Sequence, residues 1–284
     1  MKKLKKALAA SLGVLMLLLA GCSSAASSAP ATSSTPASSA LASSAASGLG
    51  AITGENIDAI KAAGVLKVGV KEDVPKFGLK DTATGEFEGL EIELAKAIAE
   101  SLGVEVAFTP VTAKTRGPLL ETGELDLVIA TFTITEERKE TYNFSTPYYE
   151  DAVRLMVKKD SGFTALADMD GATIGVAQAA TSMEAIQAAA DEAGVSITFS
   201  EFATYPEIKA ALDSGRVDCF SVDGSILLGY VDDTTVILDD KFSPQEYGVA
   251  SALSKKDLAE YVDAYVVAGL ADGSIAAFIS DAGL

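Results

Sequence analysis

A basic residue stands in an acidic setting within the stretch TFTITEERKETYNFSTPYY, residues 131–149, of a chain with 40 acidic and 22 basic residues. The guanidinium of Arg138 can donate two parallel hydrogen bonds to a carboxylate, a geometry that lysine does not reproduce. The alternative is a surface arginine on a short helix, TEERKE, that pairs with Glu136 or Glu137. Arg138 alone therefore leaves open a carboxylate-binding site and an exposed ion pair.

Residues for nucleophilic or zinc chemistry are scarce. The chain has no histidine, which excludes Ser-His and Cys-His pairs and weakens any zinc site. Its two cysteines are Cys22 and Cys219, and the second lies in the apolar run VDCFSV. We expect Cys219 to be a buried structural thiol, and we expect neither a metal nor a cofactor.

Strands and helices alternate along the chain from about residue 54. In the helix predicted at 89–103, apolar residues recur every fourth position from Leu90 to Leu102, and a glycine ends the segment. This pattern predicts two α/β units, each with a mainly parallel sheet. The predicted strands are 65–70, 104–109, 125–130, 152–159, 172–177, 195–200 and 217–222, and the other helices are 181–194 and 205–215.

The two units carry similar junctions, LLETGELDLVIA and ALDSGRVDCFSVD, which share the pattern L-x-x-G-x-[LV]-D before a strand. A duplication and a common helix-to-strand junction explain this similarity equally well. In either case we expect two similar units side by side, with a ligand in the crevice at the carboxyl ends of their strands.

The N-terminus predicts export from the cytoplasm. Four lysines precede a short apolar run, which is typical of a signal peptide, predicted here at 1–21. This prediction is favoured over a membrane anchor because no polar stop-transfer flank follows. The sequence LAGC resembles the lipobox of bacterial lipoproteins, which implies lipidation of Cys22. Residues 22–53 are nearly all Ser, Ala, Thr, Pro and Gly, so we expect a flexible linker after the lipid anchor. The folded part would then lie at the extracellular face of the cell membrane, held there by the lipid.

The charge of the exported part argues against nucleic acid and anionic lipid surfaces as partners. Without the four leading lysines, 18 basic residues remain against 40 acidic ones, a formal charge of −22. We therefore expect no binding to nucleic acid.

Four segments, LKVGVKEDVPKFG, GEFEGLEIELAKAIAESLGV, LLETGELDLVIATFTITEERKETYNFSTPYY and SGRVDCFSVDGSILLGY, carry a family resemblance. Together they resemble the bacterial extracellular solute-binding proteins of family 3, the polar amino acid receptors of ABC importers, over essentially residues 54–284. The resemblance implies a type II periplasmic-binding fold of two α/β lobes, joined by crossing segments near 150–154 and 243–247. The implied lobes are 54–151 with 247–284, and 152–246.

The resemblance also implies how a free amino acid would be held. Arg138 matches the family's carboxylate-binding arginine in T-x-T-x-x-R, and Thr133 matches the threonine that contacts the α-amino end. The carbonyl of Thr131 matches a backbone acceptor at a position where the family often has glycine. Asp223 matches the aspartate that pairs with the α-ammonium from the second lobe.

Two further groups at the start of helices belong to this predicted site. Asp223 could also cap the helix that follows it, and both roles are compatible. Thr181 and Ser182 begin a helix, where backbone N–H groups attract a carboxylate. The family usually has glycine and threonine in the preceding turn, where this chain has Ala179 and Ala180.

The resemblance places Lys71 and Arg116 at the side-chain end of the ligand. Gly117 and Pro118 resemble a helix cap and a first helical residue, which adds a positive helix end. Two cations favour an acidic side chain, so we expect glutamate or aspartate. Glutamine is the alternative, with Lys71 turned to solvent and paired with Glu72 or Asp73.

These observations predict a monomeric binding protein without catalysis that delivers its amino acid to an ABC permease and its ATPase. A dehydratase or lyase on the same fold is the alternative class, because cleft carboxylates could act as acids or bases. Asp223 is already matched to an ammonium, which favours binding.

Overall fold

The computed structural model describes residues 49–284 with their side chains. The predicted signal peptide, Cys22 and most of the predicted linker lie outside this range. In chain order the strands are β1 Val65–Val70, β2 Asp73–Val74, β3 Gly78–Lys80, β4 Phe87–Glu88, β5 Glu105–Pro110, β6 Leu127–Ile129, β7 Tyr142–Phe144, β8 Tyr149–Lys158, β9 Thr173–Ala177, β10 Thr198–Phe202, β11 Cys219–Asp223, β12 Thr235–Ile237, β13 Phe242–Tyr247 and β14 Ala250–Ala252. The helices are α1 Glu55–Ala63, α2 Leu90–Leu102, α3 Arg116–Glu121, α4 Glu136–Lys139, α5 Ser182–Ala193, α6 Tyr205–Asp213, α7 Gly224–Leu227, α8 Lys256–Asp272 and α9 Ser274–Asp281, with a 3-10 turn at Leu166–Asp168.

The first lobe is built on a sheet with the strand order β5-β1-β6-β14-β7. Strand β1 pairs in parallel with β5 and β6, so these three strands end at the same edge of the sheet. Strand β14 runs antiparallel between β6 and β7. A small antiparallel sheet, β2-β3-β4, follows β1 in the chain.

Helix α2 shows why the first lobe folds as its sequence predicts. Its apolar residues at every fourth position, Leu90, Leu94, Ile98 and Leu102, are all buried. Burial of each such side chain stabilises the fold by about 1.5–3 kcal/mol. Gly103 then ends the helix with a φ of 75°, a left-handed conformation that glycine adopts without strain.

The second lobe is built on a sheet with the strand order β10-β9-β11-β8-β12. Strand β9 pairs in parallel with β10 and β11, whereas β8 runs antiparallel to β11. Strand β13 pairs antiparallel with β8, with Tyr247 opposite Tyr149 and Gln245 opposite Asp151. Strands β8 and β13 connect the lobes, because β7 and β14 of the first lobe flank them in the chain. The exact lobe limits stay predictions.

Two local predictions need correction. Helix α3 begins at Arg116 after an N-cap at Thr115, so Gly117 and Pro118 lie inside its first turn rather than forming its cap. A proline is tolerated there because first-turn N–H groups have no helical partner. The strand predicted at 195–200 lies instead at Thr198–Phe202.

Within residues 49–284, no single helix is both long and apolar enough to cross a membrane. Helices α8 and α9 reach that length and composition only as a pair, and they are bent by 78° relative to each other.

Candidate functional site

The predicted site residues collect where the two lobes face each other. Lys71 directly follows β1, Thr131 follows β6, and Asp223 is the last residue of β11. Hydrogen bonds join the lobes here: Arg138 Nη2 donates to the Ala179 carbonyl oxygen at 3.1 Å. The carboxyl ends of parallel strands from both sheets thus form one site, as expected for open α/β sheets.

Arg138 lies in the short helix α4, which begins after Thr135, whose hydroxyl accepts a hydrogen bond from the Arg138 backbone N–H. Its Nη1 donates to the Thr133 carbonyl oxygen at 2.8 Å. Burial, the main cause, and the nearby Arg116 lower the pKa of Arg138 to about 10. The side chain therefore spans the cleft as a partly desolvated cation.

The exposed ion pair considered for Arg138 is not formed. No carboxylate of residues 49–284 lies within 4.0 Å of its guanidinium nitrogens. Its neighbour Lys139 instead pairs with Glu136, at 2.8 Å. Arg138 thus keeps its charge available for an anion from outside the described chain.

Thr131 adopts an unusual backbone conformation for a β-branched residue. Its φ is 46°, in the left-handed region that glycine favours. Its backbone N–H donates to Oε1 of Glu91 at 2.5 Å. Ala179 has a φ of 59°, so both turns at which the family often or usually has glycine are left-handed here.

Glu91, in the first turn of α2, is a buried carboxylate that sequence reasoning missed. Its Oε1 also accepts a hydrogen bond from the Tyr148 hydroxyl at 2.5 Å, and its Oε2 has no partner among the described residues. Burial raises the pKa of Glu91, while the hydrogen bonds from Tyr148 and Thr131 and the charges of Lys71 and Arg116 oppose that shift. Glu91 holds the turn at Thr131 and adds negative charge near two cations.

Arg116 is 3% exposed and contacts the backbone of the same turn. Its Nη1 donates to the carbonyl oxygens of Ala130 and Thr131, at 2.6 and 2.8 Å. The guanidinium carbon lies 4.1 Å from the ring centroid of Phe132, a cation–π contact. Nε has no partner in residues 49–284, and burial lowers the pKa of Arg116.

Lys71 is 2% exposed, so it does not point to solvent. Its Nζ lies 3.5 Å from Oδ1 of Asp73 and 4.6 Å from the ring centroid of Tyr205 in the second lobe. Burial lowers the pKa of Lys71, and Asp73 partly offsets that shift. The predicted partner Asp73 is thus present, with Lys71 buried between the lobes and Asp73 partly buried.

Asp223 is buried, and one of its oxygens accepts a hydrogen bond from the hydroxyl of Tyr247. Although Asp223 occupies the N-cap position of α7, its side chain makes no capping hydrogen bond. Asp151, on the connecting strand β8, accepts from the backbone N–H of Ser225 at 2.9 Å and from its hydroxyl. Asp151 thus contacts the start of α7 in place of Asp223, and burial raises the pKa of Asp223 to about 7.

Thr133, Thr181 and Ser182 complete the predicted set. The hydroxyls of Thr133 and Thr181 both donate to Oε1 of Gln245, at 2.8 and 2.7 Å. Ser182 is 1% exposed, and its hydroxyl has no partner in the part of the chain that the structure describes. Gln245, on the connecting strand β13, is the second residue that sequence reasoning missed.

A cleft of about 440 Å³ lies between the lobes beside this set. Arg138 and Thr181 line it, together with Tyr142 from the first lobe and Glu184 and Glu201 from the second. The other predicted residues do not line this cleft and are buried, at 1–5% exposure: Lys71, Arg116, Thr131, Thr133, Ser182 and Asp223. The structure therefore brings all eight residues to one region, and their contacts with a ligand stay predictions.

The sequence matches a family model described as bacterial extracellular solute-binding proteins, family 3, over residues 66–178. The glutamine-binding protein of Geobacillus stearothermophilus is 40% identical over 207 residues, which are 71% of this chain and 78% of that protein. The ABC transporter glutamine-binding protein GlnH of Bacillus subtilis is 36% identical over 225 residues, which are 77% of this chain and 81% of that protein.

Solved structures give the same picture. An ancestral arginine-binding protein bound to arginine superposes with a TM-score of 0.70 at 36% sequence identity, covering 77% of this chain and 97% of that one. This chain is therefore similar, over almost the whole length of that structure, to an arginine-binding protein solved with arginine bound.

Proposed function

Because the chain belongs to the bacterial extracellular solute-binding proteins of family 3 and has their type II periplasmic-binding fold, we propose that it binds a free amino acid between its lobes and delivers it to an ABC importer. The three proteins compared above are each named for binding an amino acid, which favours binding over the alternative of a dehydratase or lyase. The residues of the site support this proposal independently of the matches.

The arrangement of Arg138 and Asp223 carries the proposal. An amino acid presents an α-carboxylate and an α-ammonium, and each must be paired when it leaves water. Arg138 is a cleft cation without a carboxylate within ion-pair distance among residues 49–284, and Asp223 is a buried carboxyl that does not cap its helix. One group of each sign, from opposite lobes, is what a zwitterion requires.

Lys71 and Arg116, which we expect to contact the ligand side chain, favour glutamine once their neighbours are taken into account. The two cations alone would favour an acidic ligand. Lys71 already has a carboxylate partner, Asp73, and the negative charge of Glu91 acts on both Lys71 and Arg116. An acidic ligand would add a further negative charge to cations that are already compensated. A neutral amide can donate to a carboxylate and accept from a lysine, so it leaves no buried charge unpaired.

Arginine fits this end less well, although the matched ancestral protein binds it. A guanidinium would lie near the buried cations Lys71 and Arg116, and like charges in a desolvated pocket repel. We therefore rank glutamine first, glutamate and aspartate second and basic amino acids last.

We further propose that the protein acts outside the cytoplasm, held on the membrane by lipid on Cys22. Replacement of Cys22 by Ala should release the protein into the medium, whereas the wild type should fractionate with membranes. A wild-type protein found free in the medium would contradict the anchor and leave the ligand proposal untouched.

A thermal-shift screen of residues 49–284 against the common amino acids tests the proposed ligand. A ligand at a thousand times its dissociation constant stabilises a protein by about 4 kcal/mol, which raises the melting temperature by several degrees. We expect the largest shift with L-glutamine. A shift with arginine alone would overturn the ranking, and no shift with any amino acid would overturn the proposed function.

A further inference from the structure

Gln245 lies on strand β13 and joins the two lobes through one atom. Its Oε1 accepts hydrogen bonds from the hydroxyl of Thr133 in the first lobe and from the hydroxyl of Thr181 in the second. The side chain is buried, with 1% exposure. Both threonines belong to the predicted amino acid site, so Gln245 contacts side chains of that site without lining the cleft itself.

The orientation of the Gln245 amide follows from its other contact. Nε2 lies 3.0 Å from the carbonyl oxygen of Ser243, to which it donates a hydrogen bond. The opposite orientation would place two oxygen acceptors against each other at that distance. Oε1 must therefore face the two threonines, and each threonine hydroxyl must be the donor.

This orientation decides what the threonines can offer a ligand. A hydroxyl has one proton and two lone pairs, and the protons of Thr133 and Thr181 are directed at Gln245. Both hydroxyls therefore present only lone pairs to the cleft. The hydroxyl of Ser182 has no partner among residues 49–284, so its proton is free for an acceptor such as a carboxylate.

We propose that Gln245 is a positioning residue for amino acid recognition, which fixes the Thr133 hydroxyl as an acceptor for the α-ammonium of the ligand. The same oxygen also accepts a hydrogen bond from Thr181, so both hydroxyls have the same polarity toward the cleft. The inference rests on the proposed function and extends it to the choice between ligands with and without an amino group. Gln245 acts through Thr133 rather than by touching the ligand.

The test compares the affinities of L-glutamine and glutaric acid monoamide, which keeps the carboxyl and amide groups but lacks the amino group. In Gln245→Met the Thr133 hydroxyl loses its fixed acceptor, so we expect the preference for L-glutamine to fall about tenfold. Gln245→Glu keeps an oxygen facing the threonines and should preserve or raise the preference. Gln178→Met is the matched control, since Gln178 accepts a cross-lobe hydrogen bond from Lys114, at 3.4 Å, but contacts neither threonine.

A purely structural role would lower the melting temperature of Gln245→Met without changing this preference, and that result would overturn the inference. In a Thr133→Val background, Gln245→Met should leave the preference unchanged, because the two residues act as one unit. A further tenfold loss there would also overturn it. If the wild type binds neither compound nor any amino acid, the proposed function itself fails, which separates the two outcomes.

Discussion

Nζ of Lys71 lies 3.5 Å from Oδ1 of Asp73 between the lobes, so this buried cation already has a counter-ion. Tyr205 and Tyr230 of the second lobe surround this pair: the backbone N–H of Tyr205 donates to the Asp73 carboxylate at 3.4 Å, and the Tyr230 hydroxyl donates to the Asp73 carbonyl oxygen. The pair therefore contacts both lobes, and we propose that it takes part in the choice of ligand.

Replacing Asp73 by Asn should shift the preference of the site toward acidic ligands. The change removes the counter-ion of Lys71 and nearly keeps the side-chain volume, so a ligand carboxylate can replace it. We expect the ratio of glutamate to glutamine affinity to rise about tenfold, as roughly 1.4 kcal/mol would give. Calorimetric titration with both ligands measures this ratio.

Glu72→Gln is the matched control for Asp73→Asn. Glu72 is the adjacent acidic residue, it is exposed, and its loss changes the net charge equally. The ratio should stay within about twofold in this variant, because exposed charges are screened. An equal change in both variants would show that net charge, rather than the Lys71–Asp73 pair, sets the preference.

Replacing Arg138 by Ala should weaken the binding of every amino acid, whatever its side chain. Loss of one partner of a buried ion pair reduces affinity by about 2–5 kcal/mol, which is about 30-fold or more. Lys139→Ala is the control, since Lys139 is exposed and pairs with Glu136. Titration of both variants with L-glutamine checks this, and tight binding by Arg138→Ala would rule out its role with the carboxylate.

The affinity for L-glutamine should fall in acid through protonation of Asp223. Burial raises the pKa of Asp223 to about 7, and the ammonium requires the ionised form. Below pH 7 a proton must leave before the ligand binds, so affinity should fall up to tenfold per pH unit. Titration between pH 5 and 8 tests this, and a flat profile would contradict pairing of Asp223 with the ammonium.

The stability of the ligand-free protein tests the pKa of Asp223 separately. This stability should fall as the pH rises, whereas the affinity for L-glutamine should increase. The folded pKa lies above the ordinary value of 3.8, so the folded state holds this proton more tightly and loses stability as the pH rises from about 4 to about 7. Asp223→Asn cannot ionise. Its melting temperature relative to wild type should therefore increase through that interval and stay constant above it.

Replacing Glu91 by Ala should destabilise the first lobe. The backbone N–H of Thr131 and the hydroxyl of Tyr148 would both lose their buried acceptor, a loss of about 2–5 kcal/mol. Glu91→Gln keeps an acceptor oxygen and should lose less, while the exposed Glu93→Ala should change stability by less than about 0.5 kcal/mol. Urea unfolding measures all three, and equal values for the Ala variants would contradict the role of Glu91.

Strongly periodic elements could be predicted from the sequence, and the fold class with them. In helix α2, for example, the apolar repeat predicts which face is buried, and the terminal glycine predicts where the helix ends. Strand β13 carries no such signal: FSPQEY includes a proline and three polar residues, and it forms a strand because β8 lies beside it. Long-range pairing decides such a segment, not local preference.

The two residues missed at the site have the same explanation. Glu91 stands in the first turn of α2, where an acidic residue is ordinarily explained by the helix dipole. Gln245 stands in a polar run without a motif. Their partners are distant in sequence: Glu91 accepts a hydrogen bond from the turn at Thr131, and Gln245 accepts from two threonine hydroxyls.

A crystal structure of residues 49–284 with L-glutamine tests the proposed binding mode directly. It should show the α-carboxylate on the guanidinium of Arg138, the α-ammonium within hydrogen-bond distance of Asp223 and the Thr133 hydroxyl, and the side-chain amide at Lys71 and Asp73. A ligand with its carboxylate away from Arg138, or bound outside the site between the lobes, would contradict it.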